Sequence, residues 1–182
     1  LKAGHFYFAF GPSLGGVLIC EAAAFRAIDG YDDVMQGWGF EDSDIARRLA
    51  LYGIDPTEFP AALLSHVDHS SQDRVKHYSV KDLGRSMLVN ATYSSLKIDL
   101  MVINDAVIIP RNFRQMLYTT VGSAWESVLK EGKKRSVEVD VGALELAPHS
   151  ESKNACVDRG RRLRVQRRLV YELEPPQEGG EA

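Results

Sequence analysis

Cysteine is scarce in this sequence. The two residues, Cys20 and Cys156, lie far apart and outside any metal-ligand or redox spacing. That excludes a disulfide framework and a cysteine-based zinc site, and it points to a reducing compartment. Long apolar runs are missing as well. The longest candidate, Ile98 to Pro110, is broken by Asp99, Asn104 and Asp105; it falls short of the roughly 18 to 20 residues that cross a bilayer and reads as buried strand or helix. Neither sign of charge dominates: 22 Lys and Arg face 25 Asp and Glu, a net charge of -3, so no global field draws the chain to nucleic acid. There is no internal repeat and no leader of basic, apolar and small segments. The sequence opens on Leu1 rather than Met, and an N-terminal portion is expected to be missing. The expected location is cytoplasmic.

What is present suits a folded domain. With 182 residues, 45% of them hydrophobic and 26% charged, the chain has enough apolar surface for one core and a tail. Residues 5–10 (HFYFAF) and 15–20 (GGVLIC) read as short strands, and residues 21–28 as a helix closed by Asp29-Gly30. The clearest helix is 42–52, where Ile45, Leu49 and Tyr52 recur at helical spacing; Asp42 or Ser43 is the expected cap and Gly53 the expected left-handed stop. Two extended segments, 54–59 and 61–67, are split by Pro60. Helices are expected over 78–93 and 112–130, the second capped by Asn112 and burying a stripe of Phe113, Met116, Leu117, Val121, Trp125 and Leu129. Arg111 and Arg114 at its start are expected in solvent. Residues 136–146 alternate like an edge strand, and 147–182 read as an unordered tail ending in EPPQEGGEA. Within that tail Arg159 to Arg168 carries six arginines, expected to be solvated and able to touch anionic headgroups at the inner membrane.

One run concentrates chemistry: Gly37-Trp38-Gly39-Phe40-Glu41-Asp42-Ser43-Asp44, on a loop that leads into the 42–52 helix. Gly37 and Gly39 allow backbone to approach a ligand, Trp38 offers a flat face for a sugar ring, and neighbouring carboxylates can bind hydroxyls and accept a proton. Taken singly, acids at a helix start are caps and a Trp between glycines is a packed anchor.

The longer stretch GGVLICEAAAFRAIDGYDDVMQGWGFEDSDIARRLALYG resembles the C-terminal portion of the catalytic domain in glycosyltransferase family 2 and in the related β-1,4-galactosyltransferase and chondroitin-polymerase type enzymes, which share a Gly-Trp-Gly-x-Glu-Asp-x-Asp segment. The resemblance spans residues 15–69. It implies an α/β fold, the acceptor-side half of a GT-A nucleotide-diphospho-sugar transferase, over residues 1–146, with added helices over 78–131. It also implies that Asp42 is the general base, with Glu41 and Trp38 holding the acceptor sugar and Asp44 a structural partner. Phe40 stands where the galactosyltransferase version has glycine, so the acceptor itself does not carry over.

His66-x-x-His69 follows the helix. Related transferases place one metal-ligating histidine there, which makes His69 the first candidate ligand and His66 the second for a divalent cation, Mn2+ or Mg2+; a metal-free surface pair remains the alternative. The family's Asp-x-Asp motif has no counterpart in the chain, and Asp29 to Asp33 (DGYDD) is a poor substitute. The resemblance therefore implies an inverting transferase of polysaccharide biosynthesis that acts on a nucleotide-diphosphate sugar and a carbohydrate acceptor, its donor-binding half missing or supplied separately. The alternative is a carbohydrate-binding or interaction module that has lost catalysis. A hydrolytic metal site ranks last, because His66 and His69 lack the intervening glutamate of a helix-borne protease motif.

Overall fold

Free of β-branched residues and rich in alanine, the segment after Glu21 winds into a short helix, α1 (Ala22–Ala27), in the computed structural model. The structure describes residues 4–8, 17–58, 70, 76, 82–106, 108–140 and 168–176. Before α1 come β1 (His5–Phe8) and β2 (Leu18–Ile19), and further on β3 (Asp55–Glu58) completes a sheet of order β2-β1-β3. β1 pairs antiparallel with β2, Tyr7 opposite Ile19, and parallel with β3, His5 opposite Asp55. All three strands lie inside the segments expected from sequence. Residues 9–16 and 59–69, which include the expected 61–67 strand with His66 and His69, lie outside the described residues.

α2 (Glu41–Leu51) owes its position to one apolar face: Ile45 and Leu49 are wholly buried against Ala24 and Ile28 of the α1 region. Each such side chain contributes about 1.5 to 3 kcal/mol of burial. Its C-terminus is the expected glycine stop. Gly53 sits at φ 85, its N–H donates to Ala50 O at 3.0 Å, and Ile54 N–H donates to Leu49 O at 3.1 Å, so two last-turn carbonyls are satisfied as the chain turns into β3. The N-terminus departs from expectation. Phe40, left-handed at φ 71, is the N-cap, and neither Asp42 nor Ser43 caps by side chain, because both already lie inside the first turn.

A second group begins with α3 (Leu83–Ile103), capped by Asp82, whose carboxylate accepts Arg85 N–H at 2.9 Å. The sequence suggests a helix over 78–93 and a separate apolar segment from 98; the structure makes one helix of 21 residues instead. The polar residues in it do not interrupt because they are partnered: Lys97 is ion-paired, and Asp99 accepts a hydrogen bond from Tyr171. α4 (Arg111–Glu131) follows Pro110, which occupies the N-cap; Asn112 does not cap, lying within the helix. Its buried face is Arg114, Leu117, Tyr118, Val121, Trp125 and Val128, while Met116 and Leu129 are exposed. The stripe read from sequence is thus rotated, because Arg114 and Tyr118 take inward positions for their hydrogen bonds. Trp125 is in the core as its spacing suggests, donating Nε1–H to Thr92 Oγ1 at 2.9 Å.

β4 (Arg135–Asp140) pairs antiparallel with β5 (Arg168–Leu173), Val137 opposite Tyr171. This corrects the unordered tail over 168–173. Leu169, Tyr171 and Leu173 alternate with exposed Arg168, Val170 and Glu172 and close one side of the α3–α4 core. Arg168, the last of the six arginines, lies 3.6 Å from Glu138; the other five are outside the described residues. Among the described residues no helix is long and apolar enough to cross a membrane.

Candidate functional site

The loop from Asp29 to Phe40 has no helix or strand of its own, so its shape depends on what holds it. Asp32 is its buried root. One carboxylate oxygen accepts Val34 N–H at 3.1 Å and Arg114 Nη1 at 2.6 Å; the other accepts Tyr93 OH at 2.7 Å and is ion-paired to Lys97. Burial alone would raise this carboxyl, yet Lys97, Tyr93 and Arg114 hold it down to about 2. Asp44, on the first turn of α2, is wholly buried. It accepts Arg48 Nε at 2.8 Å, Ser94 Oγ at 2.8 Å and Lys97 Nζ at 2.8 Å. Lys97 therefore ties the loop and α2 to α3 through one ammonium. Burial pushes that ammonium below its ordinary range, against the pull of Asp44 and Asp32. Arg48 adds a bond to Ile28 O at 2.6 Å, and Arg114 one to Asp29 at 3.0 Å. The structural role of Asp44 is as expected; Arg114, expected in solvent, is buried, and Arg111 is exposed in an ion pair with Asp33 at 2.6 Å.

The second half of the loop is laid along α3 by hydrogen bonds to backbone. Trp38 N–H donates to Ser86 Oγ at 3.3 Å, and Ser86 Oγ lies 3.1 Å from Trp38 O. Asn90 Nδ2 donates to Gly39 O at 2.9 Å and Gln36 O at 3.2 Å, and Tyr118 OH accepts Gln36 N–H at 3.1 Å. Gly39 lies flush on the helix at φ 102, where a Cβ would stand 2.9 Å from Met87 Cγ. A side chain there would be strained at this φ and would have to displace Met87.

This clamp delivers Trp38, Glu41 and Asp42 together, all half-buried, to the start of α2. Phe40 makes no side-chain cap, and of the two carboxylates it is Glu41 that meets backbone N–H groups, its own and that of Gly39. Asp42 Oδ1 accepts Tyr31 OH at 3.2 Å, and burial followed by the Asp42 charge pushes the Tyr31 phenol up to about 12. Burial also raises Glu41, with Asp42 adding to it, while the N–H groups of Glu41 itself and Gly39 pull the other way. Trp38, Glu41 and Asp42 do not themselves line the hollows found beside them, which are bordered by their neighbours Tyr31, Gln36 and Phe40. Tyr31 borders an open cleft of about 550 Å³ with Leu18, Cys20 and Phe25. Phe40 borders an apolar groove of about 530 Å³ with Met87 and Leu129, and Gln36 a polar hollow between α3 and α4.

A half-buried indole and two half-buried carboxylates, with a cleft beside their neighbour Tyr31, are parts that serve the binding and deprotonation of a sugar hydroxyl. Residues 3–77 match the family model described as the N-terminal domain of galactosyltransferase. The match takes in the whole motif, α2, His66 and His69, and supports a galactosyltransferase-related domain with glycosyltransferase activity at the level of the family. A sugar donor and a sugar acceptor follow in general terms. α3, α4, β4 and β5 lie beyond the matched residues. No solved structure matches the chain.

Sequence reasoning named Trp38, Glu41 and Asp42 and missed what holds them. Tyr31, Ser86, Asn90 and Lys97 carried no motif. The one legible signal was Lys97, a lone cation on an otherwise apolar and small-residue helix face, which requires a buried partner. Among the described residues no group of three or more His, Cys, Asp and Glu converges as a metal site, and the loop's aspartates are engaged by Lys97, Arg111 and Arg114. The expected ligands His66 and His69 lie outside the described residues.

Proposed function

We propose that this chain supplies the acceptor side of an inverting glycosyltransferase of GT-A type, with Asp42 as general base. The observation that carries the reading is the grouping of Trp38, Glu41 and Asp42, all half-buried, at the start of a helix inside the segment that matches the galactosyltransferase family model. Trp38 stacks on the acceptor ring, and Gly37 and Gly39, at φ 78 and 102, allow the loop conformation that presents it. Glu41 hydrogen-bonds an acceptor hydroxyl, a task suited to a carboxylate whose proton affinity burial has raised. Asp42, oriented by Tyr31, removes the proton of the attacking hydroxyl. The acceptor oxygen then forms its bond to the anomeric carbon as the bond to the nucleoside diphosphate breaks, the electron pair leaving with the diphosphate.

Acceptor binding has a direct readout, because the sequence has two tryptophans and Trp125 is buried. Titration with saccharides is expected to change Trp38 fluorescence, and Trp38→Ala to abolish the change and weaken binding roughly tenfold or more. Absence of any response to a broad saccharide panel, together with no turnover of any nucleotide sugar, would remove the proposal. Binding without turnover would favour the non-catalytic module.

His69, with His66 second, is the proposed protein contribution to a Mn2+ or Mg2+ site, and a divalent cation there would neutralise the charge developing on the diphosphate. Chelation is expected to abolish transfer and Mn2+ to restore it, with His69→Ala lowering the bound metal measured by elemental analysis. Full activity in excess chelator would remove the metal from the reading.

A further inference from the structure

The hollow between α3 and α4 is formed by residues that the proposed reaction does not use. It measures about 230 Å³, room for about one sugar ring, and opens beside Gln36, two residues before Trp38. Its wall is joined rigidly to the acceptor motif, since Ser86 and Tyr118, which line it, hold Trp38 and Gln36 by their backbones.

The chemistry of the wall is specific. Arg85 and Glu126 face one another at 3.5 Å, a donor beside an acceptor with no net charge. Arg85 Nε is buried and has no hydrogen-bond partner. Gln36 and Gln115 add two carboxamides, each able both to donate and to accept. Tyr118 and the bare backbone at Gly122 supply less polar surface for the C–H face of a ring. A phosphate or carboxylate would meet the Glu126 charge, whereas a neutral ring bearing neighbouring hydroxyls satisfies donors and acceptors at once.

We propose that this hollow is a second saccharide subsite, which binds the sugar adjoining the one held at Trp38, so that the acceptor is an oligosaccharide. The inference rests on the acceptor reading above. The exposed part of the Arg85 guanidinium donates to one hydroxyl of the ring, Glu126 accepts from its neighbour, and the two glutamines fix the ring's orientation.

Gly122 makes the test clean. It lies within α4, and a Cβ built there meets nothing within 4 Å, so Gly122→Leu fills the hollow while replacing glycine by a better helix former. Glucose, N-acetylglucosamine, cellotriose and chitotriose are titrated by calorimetry against the full chain, with Trp38 fluorescence alongside. A trisaccharide is expected to bind roughly tenfold tighter than its monosaccharide, the effect of about two further hydrogen bonds. Gly122→Leu is expected to erase that advantage while leaving monosaccharide affinity, the Trp38 response and the melting temperature intact or the last raised; Gln115→Ala is expected to reduce the advantage several-fold. Equal affinity for mono- and trisaccharides, or an advantage that survives both variants, overturns the subsite while leaving the Trp38 reading in place. Failure of every saccharide to bind overturns both.

Discussion

Asp42→Asn is expected to lower the turnover of sugar transfer by about 100- to 10,000-fold, the range that a positioned proton acceptor contributes. The substitution keeps the shape and the hydrogen bond from Tyr31 OH, which an amide oxygen accepts as well as a carboxylate, but it removes the basic site. Unfolding stability should change little, because Asp42 lies at the surface edge of α2 and does not cap it. Glu41→Gln is the informative companion. If Glu41 holds acceptor, its loss raises the acceptor KM more than it lowers kcat; if the two carboxylates exchange roles, the larger fall in kcat belongs to Glu41→Gln. Steady-state kinetics of the assembled transferase with varied acceptor separates these outcomes, and near-normal turnover by Asp42→Asn removes Asp42 from the mechanism.

The second large effect concerns stability. Lys97→Met is expected to cost about 3 kcal/mol in urea unfolding, since it leaves Asp32 and Asp44 buried with one cation fewer between them. Packing is nearly conserved, so the loss reports charge. Asp32→Asn added to Lys97→Met should recover part of it, by removing the carboxylate that Lys97 leaves behind. Acid should reach the same network. Asp32 titrates near 2 in the folded chain against 3.8 as its ordinary value, so it binds its proton more readily when unfolded. Its contribution, on the order of 2 kcal/mol, is complete above about pH 4 and is lost as pH falls from about 4 through 2. Unfolding curves across that window should flatten in Asp32→Asn. A Lys97→Met protein as stable as the parent would mean that Arg48 and Arg114 suffice for both carboxylates.

These two effects meet in one place. α2 carries Asp42 on its outer first turn and Asp44 on its inner one, two residues apart, so the buried charges fix the position of the helix whose exposed edge bears the proposed base. Ser86, Asn90 and Tyr118 do the same for Trp38 through its neighbouring backbone. Both supports come from α3 and α4, which lie beyond the residues that match the galactosyltransferase family model.

Read alone, the sequence determined what short-range chemistry encodes. The 3.6-residue recurrence of Ile45 and Leu49 marked α2, Gly53 marked its end, and the run from Gly37 to Asp44 marked the candidate site, because periodicity, turn residues and motif spacing are local properties. Only the tertiary structure decided that α3 runs unbroken through Lys97 and Asp99, that Arg114 is buried, that Phe40 caps α2 in place of Asp42, and that Arg168 to Leu173 closes a sheet. Each of these depends on a partner distant in sequence: Asp32 and Asp44 for Lys97, Asp32 for Arg114, β4 for β5. A buried charge is tolerated where its counter-charge arrives, and no local pattern announces where that will be.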